Sequence, residues 1–162
     1  MACYLAVIFS AMPSPFDPKF VQLLISSHKR VVGSPLVPFE FSLDAAARWL
    51  YEDAAFCVLA HNTDPDPSFI YANQAAQRCF EYSWDEFIGL PSRLSAETPD
   101  QAERQRLLGA VARHGYASGY RGLRIAKSGR RFWIEDVTVW NLVDESGIRH
   151  GQAAIYRRWR DV

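Results

Sequence analysis

Apolar residues at helical spacing open the recognisable part of the chain. Asp17-Pro18 is typical of a helix start, and apolar side chains recur every three or four positions from there to Gly33. Ser42 can cap a second helix. Its apolar stripe consists of Leu43, Ala46, Ala47, Leu50 and Ala54. The pattern therefore predicts two N-terminal helices.

The middle of the chain combines short apolar runs with strong helix signals. The runs AAFCVLAH and SFIYA are typical of strands on either side of the turn NTDPDP. Asn73 can cap a helix that follows directly. Ser83 and Glu86 have the spacing of a capping box, and Gly89 can end the short helix behind it.

A longer helix is predicted after Thr98, and the pattern then changes to period two. In this helix Leu107, Leu108 and Val111 are expected to face inward, while Asp100 and Arg104 would form an exposed i,i+4 pair. Strands are predicted at 116–127, 131–143 and 149–159, with Gly-containing turns between them.

Together these elements predict an α+β fold. Its core would be a five-stranded antiparallel sheet with helices on one face, preceded by the two N-terminal helices. We divide the chain into residues 1–15, a disordered or mis-annotated extension, residues 16–53, a helical prefix, and residues 54–162, the sheet domain. Translation from Met12 instead of Met1 would account for the extension.

Charge and cysteine content narrow the classes of function. The 162-residue chain has 18 basic and 18 acidic residues, and this balance argues against nucleic acid or an anionic membrane as its partner. An odd number of cysteines without a CxxC pair argues against a disulfide framework or zinc site, and favours a reducing cytoplasm. The histidines lack metal-binding spacing, so no metal is expected.

Several segments resemble a known fold and family. FIYANQAAQRCFEYSWDEFIGLP and SGRRFWIEDVTVWNLVDESG are similar to the PAS pattern. YANQAAQRCFEYSWDEFIGLPSRLSAE, IAKSGRRFWIEDVTVWNL and GQAAIYRRW resemble more narrowly the MEKHLA family, PAS-related domains of bacterial proteins and of plant homeodomain–leucine zipper proteins. The resemblance implies a sensory or interaction domain without established catalysis. It also implies dimerisation through the N-terminal helices and the outer sheet face.

The resemblance to PAS proteins raises the question of a cofactor. In flavin-binding LOV proteins a reactive Cys follows the Gly stop, and Ser92 falls at that position here, with Pro91 before it. A hydroxyl cannot replace a thiol in the flavin adduct, and Arg124 and Ile134 fall near the expected flavin-binding amides. Haem bound through His114 is not expected either. The cofactor stays unknown, and Ser92 is either a loop residue or part of a ligand site.

A hairpin over 116–143 supplies the remaining candidate site residues. With Ser128-Gly129 as a two-residue turn, Arg121 would face Asp136 across the strands. One face, expected to be the core face, would then carry Leu123, Ile125, Phe132 and Ile134. The Arg121–Asp136 pair could anchor a polar ligand at the mouth of an apolar cavity, or it could be a salt bridge at the sheet margin.

Three functional hypotheses follow. The first is a non-enzymatic cytoplasmic module that binds a small molecule or a signalling protein and signals through its N-terminal helices. The second is a ligand-free homodimerisation domain. The third is a small enzyme with a cone-like cavity that uses Asp136 or Glu135 as a general base, although neither residue has a partner acid or nucleophile in the sequence.

Overall fold

A computed structural model describes residues 14–162 of the chain. The predicted N-terminal extension falls largely on residues 1–13, outside the described part. The helices are α1 (Pro18–Val31), α2 (Leu43–Arg48), α3 (Gln74–Phe80), α4 (Trp84–Phe87) and α5 (Thr98–His114). A π-helical turn, Trp49–Asp53, continues α2, and a 3-10 turn, Ser92–Ser95, precedes α5.

The helix starts follow the capping signals of the sequence. The side chains of Asp17, Ser42 and Asn73 each accept a hydrogen bond from a backbone N–H of the first turn behind them. Ser83 and Glu86 form the predicted capping box. These interactions are local, which is why the sequence alone predicts them.

The strands form one antiparallel sheet in the order β2-β1-β5-β4-β3. Their bounds are Cys57–His61, Phe69–Ala72, Tyr116–Ile125, Arg131–Val143 and Arg149–Tyr156 for β1 to β5. A sixth strand, β6 (Arg158–Asp161), pairs with the start of β4. Since β5 and β6 are one predicted strand interrupted at Arg157, the predicted α+β sheet is confirmed with its last strand divided in two.

Helices cover both faces of the sheet, not one. On the face that we call inner, α3, α4 and α5 pack over a core that includes Phe80, Phe132 and Val137. On the opposite, outer face, α1 and the α2 segment pack over Trp140 and other apolar side chains of the sheet. The outer face, which was expected to take part in dimerisation together with the N-terminal helices, is therefore partly covered by those helices. The predicted boundary between the helical prefix, residues 16–53, and the sheet domain, residues 54–162, stays a prediction.

The hairpin between β3 and β4 differs from the prediction by one residue. Arg124 pairs with Phe132 and Gly122 with Ile134, because the loop has three residues instead of two. The Ala126 N–H donates to the Arg130 carbonyl, and Gly129 takes the positive φ of 91° that closes such a loop. A shift of one residue turns every side chain of one strand to the other face. Arg124 therefore lies on the inner face, where Leu123 and Ile125 were expected.

Candidate functional site

A cavity of about 50 Å³ lies between α5 and the inner face of the sheet. Most of its wall is apolar, formed by residues such as Leu59, Phe69, Phe80, Leu107, Ile134 and Val137. By volume it has room for a few water molecules or a small ligand. Polar side chains from α5, β3, β1 and β5 reach the same space.

Two arginines bring positive charge to this cavity. Arg104 comes from α5 and is 5% exposed, and Arg124 comes from β3 and is 7% exposed. Within 14–162 no group accepts a hydrogen bond from Arg104 or forms an ion pair with it. Burial, and then the neighbouring charge of Arg124, lower the pKa of Arg104 to about 10, so the guanidinium stays charged at neutral pH.

Tyr120 and Gly122 position Arg124. Arg124 Nη1 donates to the Leu123 carbonyl at 2.8 Å, and Nη2 donates to the Tyr120 hydroxyl at 3.4 Å. A Cβ on Gly122 would lie 2.5 Å from that hydroxyl and 2.7 Å from Arg124 Nη1. The glycine therefore leaves the room that Tyr120 and Arg124 occupy above the strand.

His61, from the end of β1, adds an uncharged polar group. Burial lowers the pKa of His61 to about 4, with smaller contributions from the charges of Arg104 and Arg149, so the ring is neutral at neutral pH. Nδ1 lies 2.9 Å from the Asn62 carbonyl and must carry the proton that it donates. Nε2 is then a buried acceptor, and among the described residues it has no hydrogen-bond partner.

Gln152 and Asn141 hold α5 over the cavity. Gln152 Nε2 donates to the Leu108 carbonyl at 2.9 Å and to Asn141 Oδ1 at 3.1 Å. Asn141 Nδ2 donates to the Val111 carbonyl at 3.0 Å. Few apolar side chains of α5 are fully buried, and these amide hydrogen bonds add to the attachment of the helix to the sheet.

The predicted Arg121–Asp136 pair does not form. Arg121 stacks on Trp133, with the guanidinium carbon 3.8 Å from the ring centroid, and its Nε lies 3.6 Å from Glu135 Oε1. Asp136 has a positive φ of 53° in a β-bulge and contacts the exposed Arg158 at 3.7 Å. The pairing was wrong because it depended on the two-residue turn, and neither residue lines the cavity.

The other predicted site residues are distributed over different surroundings. Ile134 lines the cavity, and Phe132 is fully buried in the inner core. Ile125 is half-buried and lies on the opposite side of β3. Ser92 is buried, with its Oγ lacking a hydrogen-bond partner in the described chain, but it is not among the residues that line the cavity. A ligand role for these residues stays a prediction.

The polar residues of the cavity were missed by sequence reasoning. The sequence pattern predicts Arg104 as an exposed partner of Asp100. Arg104 stands three, four and seven positions before Leu107, Leu108 and Val111, and therefore on their helix face. Arg124 was placed on the wrong side by the turn length. The helix spacing could have indicated Arg104, whereas nothing local fixes the side of Arg124.

The model of the MEKHLA domain matches residues 18–161, which is most of the chain. The chain belongs to the MEKHLA domain family. Homeobox-leucine zipper protein ATHB-9 of Arabidopsis thaliana is 29% identical over 117 residues, which cover 70% of this chain and 13% of that protein. The MEKHLA chain thus spans about an eighth of this curated relative.

Solved structures place the MEKHLA domain in the PAS fold. A PAS domain from Colwellia psychrerythraea superposes with a TM-score of 0.62 at 19% identity, covering 74% of this chain and 96% of that one. An RNA-binding light-oxygen-voltage receptor gives 0.63 at 24% identity, covering 80% of this chain and 35% of the receptor. A light-oxygen-voltage domain studied with a flavin analogue gives 0.57 at 18%, covering 76% and 86%. At these identities the likeness concerns the fold.

The cavity of the MEKHLA domain does not fit a flavin. Pockets for ligands of that size have several hundred cubic ångströms, against about 50 Å³ here. Ser92 has a hydroxyl where the LOV chemistry uses a thiol, and it lies outside the cavity wall. Two charged guanidiniums inside the cavity also differ from the amides that bind a flavin ring.

The described part of the chain contains neither a metal-binding cluster nor a membrane-spanning helix. No group of three or more His, Cys, Asp or Glu within 14–162 is arranged to hold a metal ion. No helix among the same residues is long and apolar enough to cross a membrane.

Proposed function

We propose that this MEKHLA domain is a ligand-responsive PAS-like module that binds a small molecule in the cavity under α5 and signals through its N-terminal helices. The observation that carries the proposal is the cavity itself, with an apolar wall and two buried guanidiniums. A core filled only for stability would not enclose the guanidinium of Arg104, because burying a charge without a partner is costly.

A chain of contacts supports signalling from the cavity to α1. Ala153 of β5 lines the cavity and pairs with Trp140 of β4. On the outer face, Trp140 Nε1 donates to Ser27 Oγ at 3.1 Å, and the indole lies edge-on to His28 with 4.8 Å between ring centroids. A ligand that shifts β5 would therefore change the packing under α1.

Asn73 links the second half of the prefix to the sheet. Its side chain donates to the carbonyls of Leu50 and Phe56 at 3.1 and 2.8 Å, and it accepts from the N–H groups of Val58 and Ala76. Leu50 belongs to the π-helical turn, so both N-terminal helical segments have polar contacts with the ligand-binding body.

The domain acts without catalysis in this proposal. Asp136 is exposed beside Arg158. Glu135 is paired with Arg160 and Arg121, and the hydrogen bond from Arg160, followed by the charges of both arginines, holds the pKa of its carboxyl below the usual range. A carboxylate with a lowered pKa accepts a proton less readily, and neither Glu135 nor Asp136 lines the cavity. A cytoplasmic location and a protein partner or second copy on the exposed surface belong to the same proposal.

The test is native mass spectrometry of the purified domain beside a cavity-filling variant. Ala154 packs against the inner core and lines the cavity, so Ala154→Leu should fill it. We expect a small molecule bound to the wild type and to the surface control Ser146→Ala, and absent from Ala154→Leu. Retention of the same molecule by a folded Ala154→Leu domain would contradict the proposal.

A second measurement tests the signalling route. Amide hydrogen exchange of α1 should slow when the bound molecule is present, because α1 contacts Trp140. Exchange in α4, which lies away from β5, serves as the internal reference. A ligand-bound domain with unchanged exchange in α1 would refute signalling through the N-terminal helices.

A further inference from the structure

The cavity carries two positive charges and no negative charge of its own. None of the residues of 14–162 that line it is acidic. Both guanidiniums reach this cavity and are more than nine-tenths buried, and Arg124 is close enough that its charge lowers the pKa of Arg104. Two like charges in such surroundings repel each other, so an anion between them is stabilised on both sides.

We propose that the ligand of this cavity is a short-chain monocarboxylate, held by the guanidiniums of Arg104 from α5 and Arg124 from β3. This inference rests on the proposed ligand-binding function and names the ligand's class. A planar guanidinium matches a carboxylate in shape and donates two hydrogen bonds to it. Since Arg124 also donates to Leu123 and Tyr120, Arg104 supplies the uncommitted donors.

The apolar wall of the cavity determines what the ligand can carry besides its carboxylate. Leu107, Phe69 and Val137 lie on it, and they would bury a short alkyl group favourably. A fully hydrophilic anion such as phosphate would lose its hydration against this wall without enough donors to replace it. His61 stays neutral at neutral pH and adds no third charge. The volume of about 50 Å³ limits the chain to a few atoms.

The position of Arg104 also suggests how binding reaches the rest of the fold. It is one of the buried residues of α5, on the opposite side of the cavity from β3. A carboxylate that bridges Arg104 and Arg124 would draw α5 towards the sheet and tighten the contacts that Gln152 and Asn141 make. Binding should therefore slow hydrogen exchange in α5 as well.

Isothermal titration with propionate and its neutral isostere propionamide tests the proposal. Propionate should bind the wild type, and propionamide should bind at least about tenfold more weakly because it lacks the charge. Arg104→Met keeps the length and apolar stem of the side chain, and it should weaken propionate binding by about tenfold or more. Arg113→Met, which removes an exposed arginine from the same helix, should bind propionate like the wild type.

Several outcomes would overturn the carboxylate assignment. Equal binding of propionate and propionamide would do so, as would unchanged propionate binding by a folded Arg104→Met domain. Phosphate binding more tightly than propionate would assign the site to an inorganic anion instead. If propionate fails while a co-purified molecule is lost in Ala154→Leu, the proposed function stands and the carboxylate does not. If neither binds, both fail.

Discussion

The two faces of the sheet are covered by helices in different ways. The outer face is closed by α1 and the α2 segment, where the ring of Phe20 packs on Tyr71 and the ring of His28 on Trp140. The buried His28 ring is also hydrogen-bonded to the Ser34 carbonyl, with 2.6 Å between Nδ1 and the oxygen. The inner face is closed by α3 to α5 and leaves a cavity with two buried arginines.

This difference indicates that the outer face mainly stabilises the fold, whereas the inner face holds the candidate binding site. Close apolar packing, with every buried neutral polar group hydrogen-bonded, stabilises a fold, and the outer face is built largely in this way. The charges of the inner face work against stability unless something compensates them. We therefore expect changes on the outer face to lower stability, and changes in the cavity to alter binding and, for one arginine, to raise stability.

The largest effect is expected at Asn73, where the prefix meets the sheet. Asn73→Ala removes four hydrogen bonds in a fully buried place and leaves their backbone partners without replacements. We expect the free energy of unfolding to fall by about 4 kcal/mol. Urea denaturation measures it.

Asn62→Ala is the matched control for Asn73. Asn62 also makes several hydrogen bonds, to Asp64 and Ser68, but its surroundings are more exposed. The loss of stability should be about 1 kcal/mol there, because water replaces the lost partners. Equal losses of unfolding free energy in the two variants would show that Asn73 contributes no more to stability than the more exposed Asn62 does.

The second-largest effect is a dependence of the unfolding free energy on pH, which comes from His61 in the cavity wall. Burial lowers the pKa of His61 from 6.5 to about 4, so between these values the unfolded chain binds a proton that the folded chain does not. The stabilisation is complete above pH 6.5 and is lost as the pH falls towards 4. The expected loss from this group is about 3 kcal/mol.

The variant His61→Gln isolates this contribution. Burial also lowers the pKa of His28 on the outer face, and exposed carboxylates contribute at lower pH, so the wild type alone does not identify the group. Unfolding free energies at pH 7 and pH 4.5 should differ less in His61→Gln than in the wild type. The same difference in both proteins would show that His61 does not carry the effect.

Local and distant interactions explain which features the sequence predicts. The capping box of Ser83 and Glu86, and the packing of Tyr82 on Phe87 around it, join residues close in the chain. The helix starts, the sequence of helices and strands along the chain and the family resemblance follow from such signals. For the same reason the predicted fold class agrees with the structure.

The cavity depends on interactions that no local pattern specifies. A single extra loop residue between β3 and β4 decides whether Arg124 or Leu123 faces the core. Arg104 and Arg124 meet only after α5 has docked on the sheet. The Trp140–Ser27 hydrogen bond joins residues 113 positions apart. Burial of an arginine is also rare enough that exposure is the natural expectation from sequence.

The third prediction is that a substitution in the core raises the free energy of unfolding, although core substitutions usually lower it. Arg104→Met removes a buried charge that no described residue pairs, while it keeps apolar volume in the cavity wall. Without ligand the free energy of unfolding should rise by about 2 kcal/mol. Thermal and urea unfolding of the ligand-free protein measure the change.

Arg130→Met provides the contrasting arginine. Arg130 is paired with Asp161 and Glu81 near the surface, so its loss should lower stability by about 1 kcal/mol. The two arginines should thus move stability in opposite directions. A loss of stability in Arg104→Met as well would mean that Arg104 supports the fold and is not held in place for a ligand.

The smallest effect concerns the contact between α1 and the sheet. Ser27→Ala leaves the buried Trp140 Nε1–H without its acceptor, and we expect a loss of about 1 kcal/mol in unfolding free energy. In a Trp140→Phe background the same substitution should cost almost nothing, because the donor is gone. Equal costs in the two backgrounds would show that the hydrogen bond does not couple α1 to β4. Binding in the cavity would then have to reach the prefix through Asn73 instead.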